Sequence, residues 1–239
     1  MGLEVSPFTY DELHKTIEEI ICSDQSAQIF NVNIHAINLC FSNQLFFNTM
    51  KQAEYIFCDG EGVRQALRFY GQIIPYRITY ADWVNLLLPW LAKKGYSVAF
   101  LGSRPEVIQR AASKVKEQYP DLNLVGYVDG YISEPEQLKR LQIMKADVLI
   151  VGMGMPKQEM WIARNQKDLP FSVFLSGGAV FDYLSKEISR APEWMRSRGL
   201  EWLYRFILEP RRMFARYIIG NPLFALRVLL SKKPTDNGL

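Results

Sequence analysis

At 239 residues, nearly half apolar and about a fifth charged, the chain can form one large α/β domain or a domain with an appendage. That balance excludes a disordered or disulfide-stapled protein. The net charge of +3 is uneven: residues 186–239 hold eleven Lys/Arg against five Asp/Glu, or +6, leaving 17 against 20, or −3, for residues 1–185. The C-terminal segment is therefore the basic part, and its arginines beside aromatic residues suit phosphate groups on lipids, nucleotides or nucleic acid. Cys22, Cys40 and Cys58 lack zinc-site spacing and are expected as buried, reduced thiols of a cytosolic protein. The polar, acidic beginning has no signal-peptide pattern, so export is not expected.

In chain order, apolar runs bounded by turn residues predict strands at 28–33, 55–59, 97–102, 123–129, 148–152 and 171–177. Helical periodicity falls between them, at 35–51, 62–70, 81–94, 105–119, 135–145 and 157–167. The alternation predicts a Rossmann-like, mostly parallel sheet with helices on both faces, over residues 1–185. Such folds bind ligands beyond the C-terminal strand ends. There the sequence places Asn31 and Asn33, Asp59 and Gly60, Gly102 and Ser103, Asp129 and Gly130, Gly152 to Gly154, and Ser176, Gly177 and Gly178. Residues 186–239 are read as a basic, aromatic-rich helical appendage ending in a polar stretch, Lys232–Leu239. Its apolar run from Tyr217 to Leu230 is interrupted by Gly220-Asn221-Pro222 and Arg227, short of the roughly 20 residues a spanning helix needs. It is expected to lie on a bilayer without crossing it.

The fifth strand runs into Gly152-Met153-Gly154-Met155-Pro156-Lys157-Gln158-Glu159, a glycine turn opening a helix. Glycine lets backbone approach a ligand, and the helix start offers N–H groups and a positive dipole end to an anion. The third small residue of the dinucleotide motif and GxxxxGK[ST] are both missing, which disfavours a dehydrogenase or P-loop enzyme. Asp59, closing an apolar strand, is placed either as a general base or as an N-cap, and spacing leaves both open. Asp59 and Glu61 form a minority candidate for a metal, Glu61 fitting better in a first helical turn. Arg77 and Lys157 can neutralise a diphosphate and Gln158 can orient a sugar hydroxyl, the alternative being solvated surface groups. His14 and His35 belong to no catalytic or metal pattern, and capping or packing is expected of His35.

Three motifs in order, Asp59-Gly60-Glu61-Gly62-Val63, Val151 to Trp161, and Arg190-Ala191-Pro192 followed by Gly199 to Arg205 and Glu209-Pro210-Arg211-Arg212, resemble the WecG/TagA/CpsF glycosyltransferases, family 26. The resemblance runs from about Phe8 to Leu230. It implies an inverting, metal-independent transferase that needs no cofactor. Such an enzyme moves a sugar from a UDP-sugar donor to a polyprenyl-diphosphate-linked saccharide at the cytoplasmic membrane face, for teichoic acid, capsule, exopolysaccharide or common antigen. By motif, it implies Asp59 as the base, Asn33, Arg77 and Gln158 as pocket positions, and Arg205, Arg211, Arg212 and Arg216 as acceptor-docking residues of a tail on the membrane surface. Many members carry Thr where this chain has Asn31, which bears on the donor sugar. A homo-oligomer is compatible with such a tail. The rival readings are a metal-assisted transferase, a non-catalytic scaffold for nucleotide sugars or anionic lipid, and, least supported, nucleic-acid binding. No nucleic-acid partner is therefore expected.

Overall fold

In a computed structural model the described residues are 2–23 and 25–231, so the polar stretch Lys232–Leu239 lies outside them. The chain order is α1 (Tyr10–Cys22), β1 (Ala27–Val32), α2 (Ile34–Ser42), α3 (Gln44–Gln52), β2 (Tyr55–Cys58), α4 (Glu61–Phe69) and α5 (Tyr80–Lys94). It continues with β3 (Ser97–Gly102), α6 (Pro105–Gln118), β4 (Asn123–Val128), α7 (Glu134–Gln142), β5 (Val148–Gly152), α8 (Lys157–Asn165), β6 (Val173–Ser176) and α9 (Val180–Leu184). The tail holds α10 (Glu193–Ser197), α11 (Glu201–Leu208), α12 (Pro210–Met213), a π-helical turn (Phe214–Ile219) and α13 (Gly220–Leu230).

All six strands are parallel, in the order β2-β1-β6-β5-β3-β4. Of the inner strands, β3, β5 and β6 read as nearly unbroken apolar runs because each face is covered by helices, while β1 carries the buried polar residues Gln28 and Asn31. Alternate residues divide between two cores. Ile29, Phe100, Ile150 and Leu175 pack under α1, α5, α6 and α9. Phe30, Leu101, Val151 and Phe174 pack under α2, α3, α4 and α8. The sequence reading of six strands and flanking helices thus holds.

Three local expectations change. The single helix over 35–51 is two, because the Asn43 side chain accepts the Phe46 N–H at 3.0 Å and starts a new helix. Helices α1 and α9 went unannounced by the sequence reading. Of the thiols expected buried, Cys58 is buried, Cys40 half-buried and Cys22 exposed.

Among its described residues the tail is strand-free, but it is packed onto the sheet's helices. Phe224 and Val228 of α13 join the core that holds Val32, Ile37 and Cys58. Asn38 of α2 donates to Gly220 O at 2.8 Å and accepts from Arg227 at 2.5 Å, and the Tyr70 hydroxyl donates to Val228 O at 2.8 Å. The sequence boundary at 185/186 falls just after α9, beyond the last strand, and the tail packs across it onto the domain. Gly220-Asn221-Pro222 does not interrupt the helix as expected: helical turns run from Pro210 to Leu230, 21 residues, long and apolar enough to cross a membrane by length and composition. Pro222 falls in the first turn of α13, where its missing N–H has little consequence. The hydrogen bonds to Asn38 and Tyr70 hold this helix against the domain instead.

Candidate active site

The C-terminal ends of all six strands open onto one cleft of about 1270 Å³. Asn31 lies near the end of β1 and Asn33 follows it, Asp59 and Gly60 follow β2, Ser103 follows β3, Gly130 follows β4, Gly152 ends β5 with Met153 to Met155 after it, and Gly177 and Gly178 follow β6. Glu201, Trp202, Arg205, Arg212 and Arg216 of the tail form the facing wall. Parallel strands direct every connection out at the same edge, so residues far apart in sequence converge there.

Asp59 projects from the edge of β2, its N–H bonded to Val32 O at 2.8 Å. Its Oδ2 accepts from Asn31 Nδ2 at 2.8 Å. The N-cap alternative fails: α4 is capped at Gly60, with no side-chain cap. Gly60 has φ +134°, a conformation costly for other residues, and it separates the carboxylate from the helix start. Burial pushes Asp59 up to about 6, with the Asn31 hydrogen bond pulling down, Glu201 pushing up, and Arg216 and Arg77 pulling down. Two of the smaller influences, Glu201 and Arg216, come from the tail, so the appendage adjusts a proton affinity that burial and Asn31 chiefly fix. Glu61 is engaged elsewhere: its oxygens accept from Arg64 at 2.9 and 3.0 Å and from Gln65 at 2.6 Å.

Several expected ligand contacts are framework instead. Gln158 is wholly buried and outside the cleft lining; its Oε1 accepts from the N–H groups of Met153 (3.3 Å), Gly154 (3.0 Å) and Gly178 (2.9 Å). It braces the glycine turn against the β6 turn, and its Nε2 is engaged by Glu159. Asp129 also lies outside the lining, its Oδ1 accepting from the N–H groups of Tyr131 (3.0 Å) and Ile132 (3.1 Å) to shape the turn after β4. Gly102 is a close-approach residue: at φ +136° a Cβ would collide with Gly152 O, and the space goes to the contact between the β3 and β5 turns. Asn33 lines the cleft while its Oδ1 caps α2 through Ala36 N–H at 3.1 Å. Asn31 lines it too, but both ends of its amide are engaged by Asp59 and Ser176.

Lys157 and Arg77 line the cleft as expected, Lys157 donating to Gly130 O at 3.2 Å. Among the tail arginines, Arg205, Arg212 and Arg216 line it, whereas Arg211 is exposed and outside the lining. Arg205 donates to the Tyr183 hydroxyl at 3.0 Å and to Glu209 at 2.9 Å, and lies over the Tyr183 ring at 5.5 Å. Arg212 shares Glu209 at 2.8 Å. His35 also lines the cleft; burial, then Arg216, bring it down to about 4, so it is neutral near pH 7.

The sequence reading placed Ser103 at a strand end but missed Asp182 and Glu201. Ser103, at φ +53°, donates to Asp182 at 3.2 Å, and burial raises that carboxyl. The only sequence signal for Ser103 was its place after the β3 glycine. Asp182 and Glu201 carry none, because they reach the cleft through α9 and the tail.

A carboxylate of raised proton affinity, with glycine turns on one side and arginines on the other, is the kind of arrangement that suits group transfer involving an anionic substrate. The chain matches the description Glycosyl transferase WecG/TagA/CpsF family over residues 1–238 and belongs to that family. It is a glycosyltransferase. It is 32% identical over 209 residues, 87% of this chain and 80% of the relative, to the N-acetylglucosaminyldiphosphoundecaprenol N-acetyl-beta-D-mannosaminyltransferase of Bacillus subtilis (strain 168). It is 26% identical over 238 residues, 98% of this chain and 92% of the relative, to the protein of the same description in Staphylococcus aureus (strain NCTC 8325 / PS 47).

Proposed function

We propose that the protein transfers an N-acetylhexosaminyl group from a UDP-sugar to a polyprenyl-diphosphate-linked saccharide in cell-surface polysaccharide synthesis, by a single inverting displacement with Asp59 as base. The observation that carries the reading is the placement of Asp59: anchored at Oδ2 by Asn31, raised toward neutral pH, and open to a cleft that also holds the arginines. In this mechanism Asp59 takes the acceptor hydroxyl proton as that oxygen attacks the anomeric carbon from the face opposite UDP. The bond to the diphosphate breaks, and the developing charge is met by N–H groups of the glycine turns and by Arg77, Arg212 and Arg216. The names of the two relatives support N-acetylmannosamine as the transferred sugar and a polyprenyl-diphosphate N-acetylglucosamine as acceptor. The cleft volume of about 1270 Å³ exceeds the roughly 300 to 1,000 Å³ usual for one small ligand, in keeping with two substrates side by side.

Transfer without a metal is part of the proposal. Its support is that Glu61, the partner Asp59 would need, is held by Arg64 and Gln65. The outer face of the last helix exposes Phe214, Ile218, Ile219, Leu223, Leu226, Leu229 and Leu230, and we place that face on the cytoplasmic leaflet, where the acceptor headgroup is within reach. The test is UDP release from a panel of UDP-N-acetylmannosamine, UDP-glucose, UDP-galactose and UDP-glucuronic acid with a short-chain polyprenyl-diphosphate N-acetylglucosamine. Acceptor-dependent release that is greatest with UDP-N-acetylmannosamine and undiminished in EDTA is expected. UDP-sugar binding without release from any member of the panel would favour the scaffold reading.

A further inference from the structure

Behind Asp59 stands a buried file of polar groups. Asn31, 4% exposed, donates from Nδ2 to Asp59 Oδ2 and accepts at Oδ1 from Ser176 Oγ at 3.0 Å. Ser176, wholly buried at the end of β6, also accepts the Asn31 backbone N–H at 3.3 Å. Beyond it is Glu159 in the first turn of α8, wholly buried as well. Its Oε1 accepts from Gln158 Nε2 at 2.7 Å, while Oε2 has no hydrogen-bond partner among the described residues. The Ser176 hydroxyl is near enough to act on the proton affinity of this carboxyl.

Counting donors fixes the direction of the file. An ionised Asp59 can only accept, so Asn31 must turn its NH₂ to Asp59 and its oxygen to Ser176. The single hydroxyl hydrogen of Ser176 is then committed to Asn31, and toward Glu159 the serine oxygen can only accept. A buried carboxyl with an unpartnered oxygen, facing an oxygen that can only accept, is satisfied by carrying a proton. Burial pushes Glu159 up to about 7, against the pull of Gln158 and its own backbone. The other titratable group it acts on is the Cys40 thiol of α2, itself pushed up to about 12 by burial and then by Glu159.

We propose that protonated Glu159 and Ser176 are positioning residues that act through Asn31, holding Asp59 Oδ2 as an acceptor and turning Oδ1 toward the incoming hydroxyl. The amide of Asn31 sits between the hydroxyl and the carboxylate and passes no proton, so the file orients the base without relaying for it. The inference rests on the reading of Asp59 as base.

The test uses the full chain and two readouts. In UDP release with the best donor of the panel, Ser176→Ala lowers kcat about tenfold, as for loss of a hydrogen bond that orients a charged group, and leaves the donor KM within about twofold. Glu159→Gln, which keeps an N–H donor toward Ser176, retains the turnover that Glu159→Leu loses. In an Asp59→Asn background, Ser176→Ala costs nothing further, because residues acting as a unit are not additive. The second readout needs no substrate: NMR titration of ¹³C-labelled carboxyls shows Glu159 protonated at pH 6 and the Asp59 titration moved by Ser176→Ala. Glu159 ionised at pH 6, or Ser176→Ala leaving both kcat and the Asp59 titration unmoved, overturns the proposal. Full activity of Asp59→Asn overturns the base reading itself, whereas an inactive Asp59→Asn beside a fully active Ser176→Ala overturns the file alone.

Discussion

Replacing Asp59 with asparagine should move activity and stability in opposite directions. The carboxylate is enclosed on all sides but the cleft, and burial raises it from 3.8 to about 6. An acid whose folded value lies above its unfolded one destabilises the fold when ionised. The cost is fully present above about pH 6 and fades as pH falls toward 3.8. At 1.36 kcal/mol per pH unit the shift corresponds to about 3 kcal/mol, reduced to about 1–2 kcal/mol because one side of the group meets solvent. The substituted amide carries no charge to bury, so the melting temperature at pH 8 should rise by roughly 2–8 °C, and by less at pH 5. Transfer should fall by about 10² to 10⁴, the usual loss for a positioned base. For the wild-type enzyme kcat/KM should decline below about pH 6, since only the unprotonated carboxylate accepts the hydroxyl proton. Thermal melts at the two pH values, with UDP release from pH 5 to 8, check all three. A variant that melts lower at pH 8 than wild type would refute the burial argument, and one that keeps full transfer would refute the role of the group.

Gly102→Ala should destabilise the fold by more than about 2 kcal/mol, because the added methyl meets Gly152 O at a backbone angle alanine avoids; an unchanged denaturation midpoint would contradict the packing of the two turns. Gln158→Leu leaves the N–H groups of Met153, Gly154 and Gly178 without their acceptor. Faster amide exchange at those positions and a loss of about 1–3 kcal/mol are expected, and a change confined to sugar affinity would restore Gln158 as a substrate contact. Leu226→Glu, on the exposed face of the last helix, should weaken co-sedimentation with anionic vesicles while leaving the melting temperature within about 2 °C, and unchanged co-sedimentation would remove that face from the membrane.

Much of this molecule is legible in one dimension. The six strands were readable because each is a mostly apolar run ending near glycine or a short polar residue, in β3, β5 and β6 almost without interruption, the pattern of strands buried on both faces. Asp59 and Lys157 were readable as cleft residues because parallel strands deliver their C-terminal ends to one edge, whereas Arg77, between α4 and α5, was marked as a pocket position only by the family resemblance. What the sequence could not decide was which strand-end polar groups face the ligand and which face each other. Gln158 and Asp129 have the same polarity and local spacing as true contacts, yet both are turned inward to backbone N–H groups. Ser176 and Glu159 stand behind Asp59 only because β6 inserts beside β1 and α8 crosses above them, pairings between residues more than a hundred positions apart. The basic tail was legible as charge, but its place as a wall of the cleft was not. That depended on Phe224 and Val228 finding the core beside α2, a burial that no local pattern of Tyr217 to Leu230 announces.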